Sequence, residues 1–238
     1  MTKVSSAIVL CAGRGKRLQP HTDTTPKPLL AVAGKPTLDF ILDSLKRAGI
    51  DNVVLVTNHL AEQVKSYAES QAFFPTKRII CVEQQQLAGT ADAAKSALDA
   101  KPEWFIQPFI LTASDYLVPP LFYESLVKIY QDSGKAIAIS VKQLPEQEQA
   151  MRSSVRFDQH GYVQEIVEKP AAGTAPSIFS ANLVFVLPPD IANAISQVEP
   201  SVRGEKEIQS AINEYLAEHG PGCSLEQEAP AEWSPALL

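Results

Sequence analysis

The N-terminal half alternates short apolar runs with segments of helical spacing, and this alternation restricts the fold more than any other feature. Ala7-Ile8-Val9-Leu10 is apolar throughout and leads to glycine, which predicts a strand buried on both faces. Leu38, Ile41, Leu42 and Leu45 recur at the spacing of one helical face, with Gly49 as the stop. The pattern then repeats: a strand over 52–56, a helical face on Leu60, Val64, Tyr67 and Ala68, and a strand over 78–82. A helix capped by Thr90 runs to Leu98, and a strand over 109–112 ends at Ser114-Asp115. Strands that alternate with helices in this way form a parallel sheet covered on both faces.

The second half offers strands over 135–141, 153–157, 162–167 and 178–186, with helices over 189–198 and 205–219. These read as a continuation of one mixed sheet, with insertions, and the polar stretch 143–154 reads as a mobile surface loop. The expected fold class is therefore α/β, a Rossmann-like three-layer α/β/α sandwich with a mixed, mostly parallel sheet, as a single domain over 1–238. A hydrophobic content of 45% can fill such a core. The net charge of -6 argues against nucleic acid as a general partner, although it leaves room for a local basic site. No apolar run is long enough to span a membrane, and Cys11, Cys81 and Cys223 are too few and too scattered for a disulfide framework. A reducing cytoplasm is the expected location.

The first strand empties into Gly13-Arg14-Gly15-Lys16. A P-loop needs Gly-x4-Gly-Lys-Ser/Thr, and a dinucleotide fingerprint needs a third glycine where Leu18 stands, so neither motif is present. The physics still favours phosphate. Glycines let backbone N–H groups approach an anion closely. Arg14, Lys16, Arg17 and Lys27 add positive charge, and Pro20, Pro26 and Pro28 stiffen the segment that carries Lys27. Asp115, at the end of a strand, stands where ligands bind in open α/β sheets, although such residues also serve as plain turn formers. His21, His59, His160 and His219 form no nucleophile–base arrangement.

The stretch "LCAGRGKRLQPHTDTTPKPLLAVAGKP" resembles the signature of the sugar-phosphate nucleotidylyltransferases: Leu-x-Ala-Gly-x-Gly-x-Arg-Leu, Pro-x-Thr, then Pro-Lys-Pro-Leu. The resemblance implies transfer of a nucleotidylyl group from a nucleoside triphosphate to a sugar 1-phosphate, with Mg²⁺ as cofactor. It implies a nucleotide-binding half over 1–115 and a sugar-phosphate-binding half over 116–238. Leu10, Ala12 and Gly13 would contact the nucleoside, and Arg14, Gly15 and Lys16 would wrap the phosphates. Arg17 would hold the β- and γ-phosphates, and Lys27 would reach the reacting centre.

Further matches carry further implied roles. In "EQQQLAGTADAAKSA", Gln84 would read the base edge, with Gly89 and Thr90 at the base and ribose. Gln84 suits thymine or uracil and, after an amide flip, guanine or cytosine, so dTTP or UTP is favoured without being fixed. Asp115 would be catalytic and would ligate the metal, with Ser114 a departure from the usual glycine or alanine. In "VQEIVEKPAAG", Glu168 would bind sugar hydroxyls and Lys169 the phosphate, with Asn182 on the following strand. "RGEKEIQSAINEYL" resembles a mainly structural helix of the family, with Gln209 and Ser210 departing from it.

The family's Trp-x-Asp, a second metal ligand, reads Trp233-Ser234-Pro235 here, so either Asp115 and phosphates hold the metal, or Glu232 substitutes, or activity is impaired. Transfer to a small phosphate such as phosphocholine and a regulatory homologue without turnover are the alternatives. No acyltransferase repeat domain is expected. Neither nucleic acid nor membrane is an expected partner, and the oligomeric state is open, a homo-oligomer included.

Overall fold

A computed structural model describes residues 3–71, 74–75 and 78–227. The first half runs through β1 (Ser6–Leu10), the helical turn α1 (His21–Thr24), the small hairpin β2 (Ala31–Val32) and β3 (Lys35–Pro36), then α2 (Thr37–Arg47). It continues with β4 (Asn52–Thr57), α3 (Ala61–Ser70), β5 (Ile79–Glu83), α4 (Thr90–Ala100), β6 (Phe109–Ala113) and α5 (Phe122–Ser133). The second half adds β7 (Ala138–Gln143), α6 (Glu146–Gln149), β8 (Ser153–Phe157), β9 (Val163–Glu168) and β10 (Phe179–Leu187). Helices α7 (Ile191–Gln197) and α8 (Ile208–His219) and strand β11 (Cys223–Glu226) follow.

One seven-stranded sheet, in the order β11-β7-β10-β6-β1-β4-β5, draws on both halves. Strands β6, β1, β4 and β5 are parallel, and so is the pair β7 and β11, whereas β10 runs antiparallel to both of its neighbours, β6 and β7. Because β10 is reversed, its first residues lie at the same sheet edge as the last residues of the parallel strands. Strands β8 and β9 form a separate antiparallel pair.

The apolar strands are buried on two faces, as their lack of alternation predicts. Ile8 faces one core and its neighbours Ala7 and Val9 face the other. Helices α4, α7 and α8 cover the first face, and α2, α3 and α5 the second. On α2 the expected face of Leu38, Ile41, Leu42 and Leu45 is fully buried, and each such side chain contributes about 2 kcal/mol through burial. Ala91, Ala94 and Ala97 of α4 are small side chains that pack in the core of the first face and bring that helix close to the sheet.

Several local expectations are corrected. Thr90 is the first residue of α4 and not its cap, and its hydroxyl accepts the Ile208 N–H at 2.9 Å. Leu60 precedes α3 in a left-handed conformation instead of sharing its face. The segment 143–154 is not simply a loop, because α6 lies within it and β8 begins at Ser153. Strand β7 starts at Ala138, three residues beyond the expected start at Lys135, since the Gly134 turn after α5 takes up the intervening chain. Pro235, Trp233 and Glu232 lie outside the described residues.

Candidate active site

Two adjoining cavities open along the edge where the parallel strands end, of about 520 Å³ and 570 Å³. Gly13, Gly15 and Lys16 belong to both. The first, here the Gln84 cavity, is lined by Leu10, Ala12, Gly13, Arg14, Gly15, Lys16, Gln84, Gly89 and Thr90, all sequence-predicted, and by Leu87, Ala93 and Glu205. The second, the Lys27 cavity, holds the predicted Arg17, Lys27, Asp115 and Asn182. It also holds Lys142, Glu148, Arg152 and Ser180, which the sequence reading did not select.

The glycine loop is held from beneath. Gly15 is left-handed, with φ of +62°, and a Cβ there would lie 2.8 Å from Thr22 Cγ2. Thr22 is 1% exposed, and its hydroxyl donates to the Gly15 carbonyl at 3.1 Å. The Thr22 carbonyl in turn accepts from His59 Nε2 at 2.8 Å, and Gln63 donates to the Thr24 carbonyl at 3.0 Å. His59 therefore braces the loop.

Gly89 is equally constrained. With φ of +123°, a Cβ on it would stand 2.4 Å from the Lys206 carbonyl oxygen. That close approach exists because the chain leading into α8 pairs with the loop: Lys206 N–H donates to Ala88 at 2.7 Å and Ala91 N–H to Lys206 at 2.8 Å. The segment expected to be mainly structural thus carries Glu205 into the Gln84 cavity.

In the Lys27 cavity the Lys27 ammonium donates to Asp115 Oδ2, and their side chains are 25% and 41% exposed. Lys27 opens a turn over Lys27–Leu29 that Thr37 fixes by donating to the Pro28 carbonyl at 3.0 Å. Asp115 follows β6, which pairs directly with β1 (Leu10 opposite Ala113), so adjacent strand ends place it across from the glycine loop. Burial, then the nearby Asp115 carboxylate, raises the Tyr116 phenol above its ordinary pKa. Burial likewise pushes up the Cys11 thiol, which leaves it protonated and inert beside the site.

Some cations elsewhere are matched by carboxylates, as in Arg47–Asp43, Arg156–Glu165 and Arg203–Glu207, and others among the described residues, such as Lys35, Lys65 and Lys206, stand singly over the surface. Arg14, Lys16, Arg17, Lys142 and Arg152 have no ion-pair partner among the described residues. They surround the two cavities, where their mutual repulsion favours an anionic ligand. Asn182, 6% exposed, is fixed by donating to Ser140 at 3.1 Å and to Gln227 at 2.8 Å.

Glu168 and Lys169 line neither cavity. Glu168 accepts from Arg203 at 3.3 Å, and the exposed Lys169 donates its backbone N–H to the Arg152 carbonyl at 3.1 Å. Among the described residues no group of three or more His, Cys, Asp or Glu side chains could hold a metal ion. The donor set nevertheless suits a hard divalent cation bound by Asp115 and phosphate oxygens, because Mg²⁺ commonly takes one or two carboxylates plus substrate phosphates. No described helix is long and apolar enough to cross a membrane.

A parallel-strand edge with a braced glycine loop, a Lys–Asp pair and excess positive charge makes an α/β protein suited to an anionic ligand. The profile of the nucleotidyl transferase family matches residues 6–234, and the chain belongs to that family. It is 27% identical over 197 residues to a UTP–glucose-1-phosphate uridylyltransferase of Synechocystis sp., covering 79% of this chain and 50% of the relative. The chain thus spans about half the length of that relative. A UTP–glucose-1-phosphate uridylyltransferase 2 of Staphylococcus saprophyticus is 27% identical over 240 residues, covering 89% of this chain and 81% of the relative. The mannose-1-phosphate guanylyltransferase catalytic subunit beta of Drosophila pseudoobscura is 30% identical over 211 residues, covering 87% and 54%. A UDP-glucose pyrophosphorylase crystallised with UDP-glucose superposes with a TM-score of 0.84 over 95% of this chain and 92% of its own, at 19% identity. That likeness establishes the nucleotidyltransferase fold.

Proposed function

We propose that the chain transfers a nucleotidylyl group from a nucleoside triphosphate to a sugar 1-phosphate, giving an NDP-sugar and pyrophosphate. The observation that carries this reading is the meeting of two cavities at Gly13, Gly15 and Lys16, ringed by unpaired cations. The Gln84 cavity takes the nucleoside, and the shared wall takes the triphosphate. The Lys27 cavity takes the sugar phosphate.

In the reaction an acceptor phosphate oxygen attacks the α-phosphorus, the bond from that phosphorus to the α–β bridging oxygen breaks, and pyrophosphate leaves. The attacking oxygen is already anionic at neutral pH, so no general base is needed, in keeping with histidines that brace or sit apart from the site. Lys27 and Arg17 stabilise charge at the reacting centre and on the departing pyrophosphate. Holding both anions in line is worth up to about 7–11 kcal/mol in favourable cases. Mg²⁺, held by Asp115 and phosphate oxygens, would neutralise phosphate charge when bound.

UTP or dTTP is the proposed donor, supported by the uridylyltransferase names of two relatives. A phosphocholine acceptor fits less well. A quaternary ammonium ion favours aromatic faces and anions, whereas in this cavity the cations Lys16, Arg17, Lys27, Lys142 and Arg152 outnumber the carboxylates Asp115 and Glu148, and Tyr116 is the single aromatic. The free thiols Cys11, Cys81 and Cys223 accord with a cytoplasmic setting. Pyrophosphate release, measured over a panel of triphosphates and sugar 1-phosphates with and without Mg²⁺, tests the reading. Release only with both substrates and the metal is expected, and nucleotide binding without release from any pair would overturn turnover.

A further inference from the structure

Gln84 stands between β5 and α4 with its side chain 2% exposed, yet it lines the nucleoside cavity. Its main chain is fixed, since its N–H donates to the Thr57 carbonyl at 2.8 Å and its C=O accepts from Asn58 at 2.8 Å. The carboxamide nitrogen has two protons, and two acceptors face it: the Gly89 carbonyl at 3.1 Å and Asp92 Oδ2 at 2.7 Å. An amide flip would turn Oε1 towards both of those acceptors and leave two part-buried lone-pair groups confronting it, which is unfavourable. The orientation of the amide is therefore set by its partners. Only the Oε1 acceptor is left for the cavity.

We propose that Asp92 is a positioning residue that locks Gln84 as a hydrogen-bond acceptor and so makes the site select bases with an N–H at the centre of the pairing edge. Uracil and thymine carry N3–H at that point. Cytosine carries a bare N3 lone pair there, which would meet Oε1 acceptor to acceptor. Asp92 itself does not line the cavity. It acts from the first turn of α4, where its charge is also favoured by the helix dipole. This selection rests on the proposed placement of the nucleoside in the Gln84 cavity, and it removes cytosine from the choice that the sequence left to an amide flip, whereas guanine, with N1–H at the centre of its edge, meets the same acceptor.

UTP and CTP are equal in size and differ only at the base edge, so the ratio of their dissociation constants, measured by titration calorimetry, reads the lock without requiring turnover. The wild-type chain is expected to prefer UTP by at least about a hundredfold, as sites built around one hydrogen-bonding pattern reject its reverse. Asp92→Asn can offer an amide N–H to a flipped Gln84, and Asp92→Ser can offer a hydroxyl. Each should shrink the UTP:CTP ratio about tenfold or more, by weakening UTP while CTP binding is kept or gains. A variant that loses affinity for both nucleotides equally would make Asp92 merely structural and overturn the lock, as would an unchanged ratio. Asp92→Ser supplies the measurement should Asp92→Asn fail to fold. Failure of transferase activity with intact UTP selection would overturn the reaction and leave the lock standing.

Discussion

The two cavities share a wall and are built in different ways. The Gln84 cavity, the proposed nucleoside side, is made largely of backbone: glycine turns after β1 and β5, each pressed against another segment, at Thr22 for Gly15 and at Lys206 for Gly89. The Lys27 cavity, the proposed acceptor side, is made of long side chains, Lys142, Arg152 and Lys27, from β7, the turn before β8 and the turn after α1. A backbone-built site depends on local conformation, and its residue types follow from φ and from space. A side-chain-built site depends only on which long cations reach one point. The first kind tolerates little substitution, and the second can change its residues while keeping its charge.

The largest effect belongs to the Lys–Asp pair of the Lys27 cavity. Lys27→Ala should lower kcat about a thousandfold, the scale of losing one charge-stabilising group at a reacting centre, with the thermal transition nearly unmoved. Its ammonium is partly exposed and bonded to Asp115, so little of the fold depends on it. Asp115→Asn should cost about a hundredfold at fixed Mg²⁺ and shift the metal dependence to higher concentration. A near-normal rate for Lys27→Ala would remove this pair from the chemistry.

The backbone-built side can be broken next. An alanine at position 89 would have to abandon φ of +123° or displace the Lys206 carbonyl 2.4 Å from its Cβ. Either adjustment strains the pairing of Ala88 and Ala91 with Lys206, so Gly89→Ala should destabilise the fold by about 3 kcal/mol, read by urea denaturation. It should also weaken UTP binding, because the Gly89 carbonyl helps hold Gln84. Stability close to wild type would show that the α8 entry segment is not tied to the nucleotide loop.

This contrast also explains what could be read from the chain. The glycine loop was legible as a phosphate candidate because glycines after a buried strand let backbone N–H groups approach an anion. Gln84, Gly89, Thr90 and the role of Asp115, two residues past β6, came only through the family resemblance, since alone they pass for a polar loop and a turn. Asp92 and Glu205 were not legible, since an acid in a helix's first turn and an acid before a helix both pass as ordinary N-terminal charge. Strand β11 escaped because Cys223-Ser224-Leu225-Glu226 is short and half polar, and it is a strand through pairing with β7. Lys142 and Arg152 escaped for a further reason. The polar segment between them carries no periodicity, and only the register that sets Ser180 opposite Lys142 brings that edge to the cavity.

The acceptor side gives the smallest and most discriminating prediction. The resemblance assigns the sugar phosphate to Lys169, whereas the cavity is lined by Arg152, whose carbonyl merely receives the Lys169 backbone N–H. Glu168, its companion, is already engaged by Arg203. Arg152→Gln should therefore raise KM for the sugar 1-phosphate about tenfold, the loss of one charge-assisted contact, with KM for the triphosphate unchanged. Lys169→Gln should change either constant less than about twofold, as an exposed surface charge would. The opposite ranking, with Lys169→Gln the more damaging, would mean that β9 moves its last residues into the cavity when the sugar phosphate arrives. The acceptor half would then be assembled by its ligand, and the contrast with the nucleoside half would become one of preorganisation.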